Sequence, residues 1–432
     1  MVILISVITC ILLILSILVK PNITIKKVSL GTYWLIALAG AIILIAFGFI
    51  SPQEVGKGLI AKTAINPLKI LVLFLSMTIQ SIFLDEVGLF RYCANVALKK
   101  SNGSQLKLFI ELYILVSVLT VFTSNDIIIL TFTPFICYFS KEAKINPVPF
   151  LFAEFVAANT WSMTLIIGNP TNVYLASSNG ITFVEYVKTM VLPTLGGGII
   201  SFLIMLLLFK KSLHDKLAQS DYVFNIKYKG LLLIGIIHLS ICTILLVISS
   251  YIGIEMWAIT FFFAVSLIII STIYMKVAKI KDFSLLKCLK RAPWELVPFL
   301  ISMFVFVLTF DKAGVSEKIC SMLGENNTIL KYGFVSFFTA NLINNIPMSV
   351  LFCSIVKFLE AEKVLSAVFA SIVGSNIGAF LTPIGALAGI MWLNIVKKNN
   401  VKFSFAEFVK YGFIVSIPTL FVTLVVLAGV LK

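Results

Sequence analysis

The apolar runs of this chain are too long and too closely spaced for a water-soluble fold. Runs that cross, or nearly cross, a bilayer lie at 2–19, 32–50, 66–84, 148–175, 184–208, 231–250, 255–274, 295–310, 364–396 and 411–431. Hydrophobic residues make up 60% of the 432, and charged residues only 12%. Inside hydrocarbon every amide and carbonyl must be paired within the protein, which leaves helices or closed barrels as spanning forms. Runs of about 20 residues match the helical rise across a bilayer. The expected fold is an all-α polytopic membrane protein with about ten transmembrane helices.

Two further apolar stretches, 105–140 and 328–358, are each too long for one span and carry a polar cluster at the centre. That pattern predicts two re-entrant helical hairpins. The run at 295–310 is short and needs residues near Ala292–Trp294 to reach the surface. Lys20-Pro21 follows the first run where a signal peptide would have small residues, so that run reads as a retained span.

The net charge of +15 does not imply nucleic acid, because the basic residues sit in loops between apolar runs. The loops 20–31, 85–107, 141–147, 209–230, 275–294 and 397–410 hold 3, 4, 2, 5, 6 and 4 Lys or Arg, 24 of the chain's 34. Placing them in the cytoplasm leaves both termini outside. Val87–Lys100 mixes apolar residues with Arg91, Lys99 and Lys100, as an amphipathic surface helix would. The seven cysteines are scattered, without a C-x-x-C or a Cys/His cluster, so neither a disulfide framework nor a metal site is expected.

The chain also repeats itself. Leu75-Ser76-Met77 precedes Asp85-Glu86-Val87-Gly88 with the spacing that separates Ile301-Ser302-Met303 from Asp311-Lys312-Ala313-Gly314. Asn159 to Gly168 and Asn376 to Gly385 are both nine residues, and FVEYVK at 183–188 returns as FAEFVK at 405–410. The implied division is an N-terminal span and loop at 1–31, a first repeat at 32–208, a charged cytoplasmic linker at 209–230 and a second repeat at 231–432. With Asp85 inside and Asp311 outside, the repeats are inverted, an arrangement typical of alternating-access carriers.

Polar clusters interrupt the apolar runs at matching places. The first half has Ser124, Asn125 and Asp126 at its hairpin tip, with Asn159, Thr160, Gly168, Asn169, Thr171 and Asn172 in the run that follows. The second half has Asn344 and Asn345, then Asn376, Gly378 and Thr382. Neutral oxygens, amides and unwound backbone at membrane depth are costly unless they serve one another, water or a ligand. Gly168 and Gly385 let the backbone turn, while Pro134, Pro170, Pro347 and Pro383 remove donors and read as helix-breaking. Single glycines and prolines also serve as packing devices and kinks, so the pairing carries the argument. Asp126 is the first candidate for ion coupling and Glu154 the second. Glu111 is weaker, Glu185 and Glu407 fit short interfacial helices, and His238 fits a hydrogen-bonded structural role.

DEVGLF (85–90), SND (124–126), LTFTP (130–134), NTWSMTLIIGNPTN (159–172), NNIP (344–347) and NIGAFLTPIGALAGIMWL (376–393) together resemble the ion transporter superfamily. Within it they are most similar to arsenite/antimonite permeases of the ArsB/NhaD group. The resemblance implies a scaffold domain and a mobile transport domain, an elevator-like movement, a homodimer, and a site built from the two hairpin tips and two unwound helices. Some arsenite permeases also take a cytoplasmic ATPase subunit; this chain has no nucleotide-binding motif of its own.

The expected function is proton-driven efflux of arsenite or antimonite across the cell membrane, with no cofactor beyond a coupling proton or sodium ion. These small inorganic substrates are mainly neutral hydroxides at neutral pH, and neither tip carries Arg or Lys. A sodium-coupled carrier of a small organic or inorganic anion is the second reading, and sodium/proton antiport the third. An intramembrane enzyme would need a nucleophile–base pair or metal ligands in the spans, and no such motif is present. Interrupted helices with a lone carboxylate also fit a carrier better than a channel. Lipid and the small substrate are the expected partners.

Overall fold

The computed structural model describes residues 1–20, 22–25, 28–60, 66–214 and 225–432. Part of the predicted linker, 215–224, lies outside the described residues. The described chain is almost wholly helical, and its helices fall into two sets of ten. The first set is α1 (Val2–Val19), α2 (Thr32–Ala46), α3 (Pro52–Leu59), α4 (Pro67–Val87), α5 (Leu89–Lys100), α6 (Gln105–Phe122), α7 (Asn125–Glu142), α8 (Val148–Trp161), α9 (Pro170–Ser178) and α10 (Phe183–Phe209). The second is α11 (Lys229–Ile252), α12 (Met256–Val277), α13 (Leu285–Arg291), α14 (Leu296–Lys312), α15 (Val315–Leu323), α16 (Thr328–Ile343), α17 (Asn345–Ile355), α18 (Ala361–Gly378), α19 (Leu387–Lys398) and α20 (Phe405–Val430).

Helix packing recurs with the sets exchanged. α2 lies against α14 and α12 against α4; α7 lies against α19 and α17 against α9; α10 runs along α20. Within each set the incoming hairpin arm packs on the helix that later breaks, α6 on α8 and α16 on α18. The matched Asp-x-x-Gly motifs end α4 and α14 alike, with Gly88 at φ 98° and Gly314 at φ 67°. Glycine takes this left-handed conformation without steric cost.

Seven apolar stretches among the described residues are long enough to cross a membrane: α4, α6, α10, α11, α12, the stretch Leu285–Lys312, and α20. Their outward faces carry Leu203, Leu233, Ile244, Phe262 and Phe421, all exposed. The interior holds many buried Ser, Thr and Asn residues. That distribution suits a protein solvated by lipid, with polar groups turned inward.

Three features depart from the sequence expectation. The loop at 20–31 contains an antiparallel pair, β1 (Asn22–Ile25) with β2 (Val28–Gly31), in the register Asn22↔Gly31. Glu185 and Glu407 belong to no separate interfacial helix. They occupy the first turns of the long helices α10 and α20, where Thr182 and Ser404 cap the backbone. A carboxylate in that turn favours the helix start. The short helices α3, α13 and α15 come from mixed sequence that carries no spanning signal. α13 is tied to α4 by Arg291, which reaches Asp85 at 2.8 Å and also pairs with Glu86; Lys287 lies 2.9 Å from Glu86.

Candidate functional site

Each hairpin turns through one or two non-helical residues. In the first, α6 ends at Phe122 and α7 begins at Asn125, with Ser124 extended between them. Asn125 Oδ1 accepts from the Asp126 amide at 2.9 Å, and its Nδ2 donates to Asn159 Oδ1 on α8 at 3.1 Å. In the second, Asn344 alone joins α16 to α17, at φ 74°. Its side chain holds that conformation by accepting from the Ile346 amide at 3.3 Å and donating to the Ile384 carbonyl at 3.1 Å. The Asn345 amide donates to the Gly385 carbonyl at 3.0 Å. Each tip is therefore bonded to a helix of its own set, the first to α8 and the second to the break after α18.

The breaks follow from glycine and amide side chains. After α8 the chain passes through a 3-10 turn at Ile166–Gly168, and Asn169 then caps α9 by accepting from the Thr171 amide and hydroxyl, both at 3.1 Å. Asn172 folds back to donate to the Ser162 carbonyl at 2.8 Å. A Cβ on Gly168 would fall 2.3 Å from that same carbonyl oxygen. The second break runs from Gly378 to Leu387, and Asn341 of α16 spans it. Asn341 donates to the Gly378 carbonyl at 2.9 Å and accepts from the Thr382 amide at 3.1 Å and hydroxyl at 2.6 Å. A Cβ on Gly385 would lie 2.7 Å from the Gly378 oxygen.

The prolines differ in effect. Pro170 starts α9 and Pro383 lies in the second break, as expected of helix breakers. Pro134 and Pro347 do not break helices. α7 continues through Pro134, and Pro347 lies in the first turn of α17. First-turn amides have no intrahelical acceptor, so Pro347 removes no helix bond.

Asn376 joins the two broken helices. Its Oδ1 accepts from Ser162 Oγ at 3.0 Å and Asn169 Nδ2 at 2.8 Å. Its Nδ2 donates to Asn172 Oδ1 at 2.7 Å and to the Ile372 carbonyl at 2.8 Å. A side-chain amide has two donors and two acceptor positions, and all four are used. Asn376 is a strut between the breaks.

Open hydrogen-bonding capacity lies elsewhere. Ser124 Oγ, Thr160 Oγ1, Asn345 Oδ1 and Ser375 Oγ are buried without a protein partner, one each on the first tip, α8, the second tip and α18. A buried polar atom left unpaired costs about 1–3 kcal/mol unless water or a ligand serves it. Asp126 is 9% exposed at the start of α7, and no ion pair among the described residues involves it. Glu154, 2% exposed, turns away from the break toward α7 and α19. Both its oxygens accept from Thr133 Oγ1 at 3.2 Å, and the Trp392 indole lies against it.

Sequence reasoning passed over Ser162, Asn341, Ser375, Thr133 and Trp392. Ser162 lies inside the motif 159–172, Asn341 and Ser375 lie just before Asn344 and Asn376, and that spacing was the available signal. Thr133 and Trp392 lie in the motifs 130–134 and 376–393, which carry no sign that the two meet Glu154. His238 donates to, or accepts at, nothing unusual: its Nδ1 lies 2.7 Å from the Ile234 carbonyl, as a structural histidine would. The seven cysteines are unpaired.

The citrate transporter family profile, CitMHS, matches residues 23–374. The chain belongs to this family. Among relatives of the citrate transporter family member described here, the arsenical pump membrane protein of Escherichia coli K12 is 28% identical over 370 residues, covering 82% of this chain and 85% of its own. The arsenical pump membrane protein of Yersinia enterocolitica is 28% identical over 373 residues with the same coverage. A 46 kDa membrane protein of Mycobacterium leprae is 25% identical over 408 residues, covering 89% and 90%. The crystal structure of the YdaH transporter of Alcanivorax borkumensis shares the fold, with a TM-score of 0.60 at 13% identity over 99% of this chain and 97% of that one. The protein is a multi-pass membrane transporter of the ArsB/CitMHS type.

Proposed function

We propose that this transporter exports trivalent arsenic and antimony as neutral hydroxides, driven by the proton gradient. The observation that carries this reading is the set of open polar atoms on Ser124, Thr160, Asn345 and Ser375, all uncharged. Hydroxyl and amide oxygens suit a small neutral hydroxide, which both donates and accepts hydrogen bonds. Asp126, buried at the start of α7 two residues after Ser124, is the coupling residue. The arsenical pump relatives support the same substrate class.

The mechanism proposed is alternating access of the elevator type, with two inverted repeats formed by α1–α10 and α11–α20. This division takes α1 into the first repeat, because its partner in order is α11. The helices α6–α10 and α16–α20 carry the site and move against a scaffold that includes α2, α4, α12 and α14. A homodimer and a cytoplasmic ATPase partner belong to the same proposal. So does the cytoplasmic placement of the basic loops.

The family description supports a second reading, a sodium-coupled carrier of a carboxylate anion. Such an anion would be helped by a cation, and no Lys or Arg lies at either tip. Counterflow separates the two readings. Proteoliposomes preloaded with arsenite are expected to take up labelled arsenite without competition from citrate. Citrate counterflow without arsenite counterflow would overturn the first reading in favour of the second.

A further inference from the structure

Away from the polar breaks, a cavity of about 310 Å³ lies where the starts of α4 and α12 meet the turn between α9 and α10. α9 packs on α4, and α10 on α11, beside it. α4, α10 and α12 all begin here, at Pro67, Phe183 and Met256, at the end opposite the basic loops 85–107, 209–230 and 275–294. Ile70, Leu73, Ile181 and Phe183 are buried along the cavity, while Ile254, 48% exposed, opens it to the outer face. Its polar wall is an ion pair. Lys69 Nζ donates to both Glu255 oxygens, at 2.8 and 2.6 Å, and the Trp257 indole donates to Glu255 Oε2 at 2.8 Å. These contacts use two of three ammonium donors and three of about four carboxylate acceptor positions. One donor and one acceptor are left side by side. Ser177 Oγ, on the α9 wall, is buried without a protein partner among the described residues. Glu255 precedes α12 without a side-chain capping bond, which leaves the amides of that helix's first turn open to an anion.

We propose that this cavity binds one aminophospholipid, with its phosphoethanolamine headgroup on the Lys69–Glu255 pair and the start of an acyl chain between α4 and the α9–α10 turn. The phosphate takes the remaining Lys69 donor at the start of α12, where the helix dipole favours an anion. The ammonium donates to the remaining position on Glu255. The four charges then alternate in sign, and the ion pair stays whole. An exposed pair of this kind adds little to the fold by itself, so a ligand gives it a role. Lys and Trp at a helix start are also the anchors that sit at headgroup level in a bilayer. The volume is near the lower end of small-molecule sites, about 300 Å³, which suits a headgroup and the first part of one chain. A choline headgroup has no N–H to give Glu255, and a headgroup without an amine leaves Glu255 facing an anion. In the elevator reading, α9 and α10 belong to the moving group and α4 and α12 to the scaffold. A lipid held between them must leave before they part.

The test is a lipid titration of the full, delipidated chain in detergent, followed by thermal unfolding. Dioctanoyl phosphatidylethanolamine is expected to raise Tm saturably, because a ligand of the folded state stabilises it by mass action. Dioctanoyl phosphatidylcholine is expected to bind at least tenfold more weakly. Lys69→Gln and Glu255→Gln, both at partly exposed positions, are expected to fold and to weaken phosphatidylethanolamine binding at least tenfold. Lys69→Arg keeps the charge and is expected to keep the binding. Glycerophosphoethanolamine, the same headgroup without chains, is expected to bind at least tenfold more weakly than the lipid. Equal binding of the two lipids, or unchanged binding in both glutamine variants, would overturn the proposal. Equal binding of the chainless headgroup would overturn the lipid in favour of a soluble phosphate compound. None of these readings involves arsenite, so the site stands or falls apart from the substrate assignment.

Discussion

Asn376 Nδ2 donates to Asn172 Oδ1 at 2.7 Å, joining two residues 204 positions apart. With Ser162 and Asn169 on the opposite side of the same amide, this bond holds the two broken helices in one relative position. Asn376→Ala leaves Asn169 Nδ2 and Asn172 Oδ1 unpaired, while Ser162 keeps its bond to the Asn159 carbonyl. It is expected to lower stability by about 3 kcal/mol, since each stranded buried group costs about 1–3 kcal/mol. Thermal unfolding in detergent measures this. A drop in Tm no larger than that of a surface substitution would mean that the strut is dispensable.

The open atoms predict the opposite behaviour. Thr160→Val removes a buried hydroxyl that has no protein partner while keeping the shape of the side chain. Without substrate, the variant is expected to match or exceed the wild type in Tm, because replacing an unpaired polar group removes its desolvation cost of about 1–3 kcal/mol. Arsenite binding is expected to weaken about tenfold, the loss of about 1.4 kcal/mol of hydrogen bonding. A destabilised variant with normal binding would show that the hydroxyl serves the fold.

Two glycines carry a steric prediction. Gly168→Ala and Gly385→Ala would place a Cβ 2.3 and 2.7 Å from the Ser162 and Gly378 oxygens, against backbone that cannot give way cheaply. Both are expected to reduce the transport rate at least tenfold, the order of loss that follows about 1 Å of misplacement at a site. Gly56→Ala on α3 meets nothing within 4 Å and serves as the control. Equal rates in all three variants would contradict the role given to the breaks.

The tie between α13 and α4 is a stability prediction away from the site. Arg291→Ala leaves Asp85, 2% exposed, without its 2.8 Å partner. Removing one member of a buried pair costs about 3–5 kcal/mol because the other charge stays buried. Chemical denaturation in mixed micelles reads this loss, and Lys287→Ala, at a more exposed position, is expected to cost less.

The spans, the two hairpins and the two breaks were legible because each writes a local signal: an apolar run, or a polar cluster inside one. Gly168 and Gly385 were legible for the same reason. The partners of Asn376 were not, since they depend on contacts between residues more than 200 positions apart. Pro134 reads as a breaker from its type alone, yet the packing of α7 on α8 and α19 carries the helix through it. The orientation of Glu154 depends on Thr133 and Trp392, which lie in the motifs 130–134 and 376–393 without a local sign that they meet it.

Proton-driven arsenite export can be followed in everted membrane vesicles. With an imposed proton gradient, wild-type vesicles are expected to accumulate arsenite at the same rate with or without sodium, and Asp126→Asn vesicles to lose that accumulation. Vesicles that hold folded protein but accumulate no arsenite, or accumulate it only with sodium, would contradict the account.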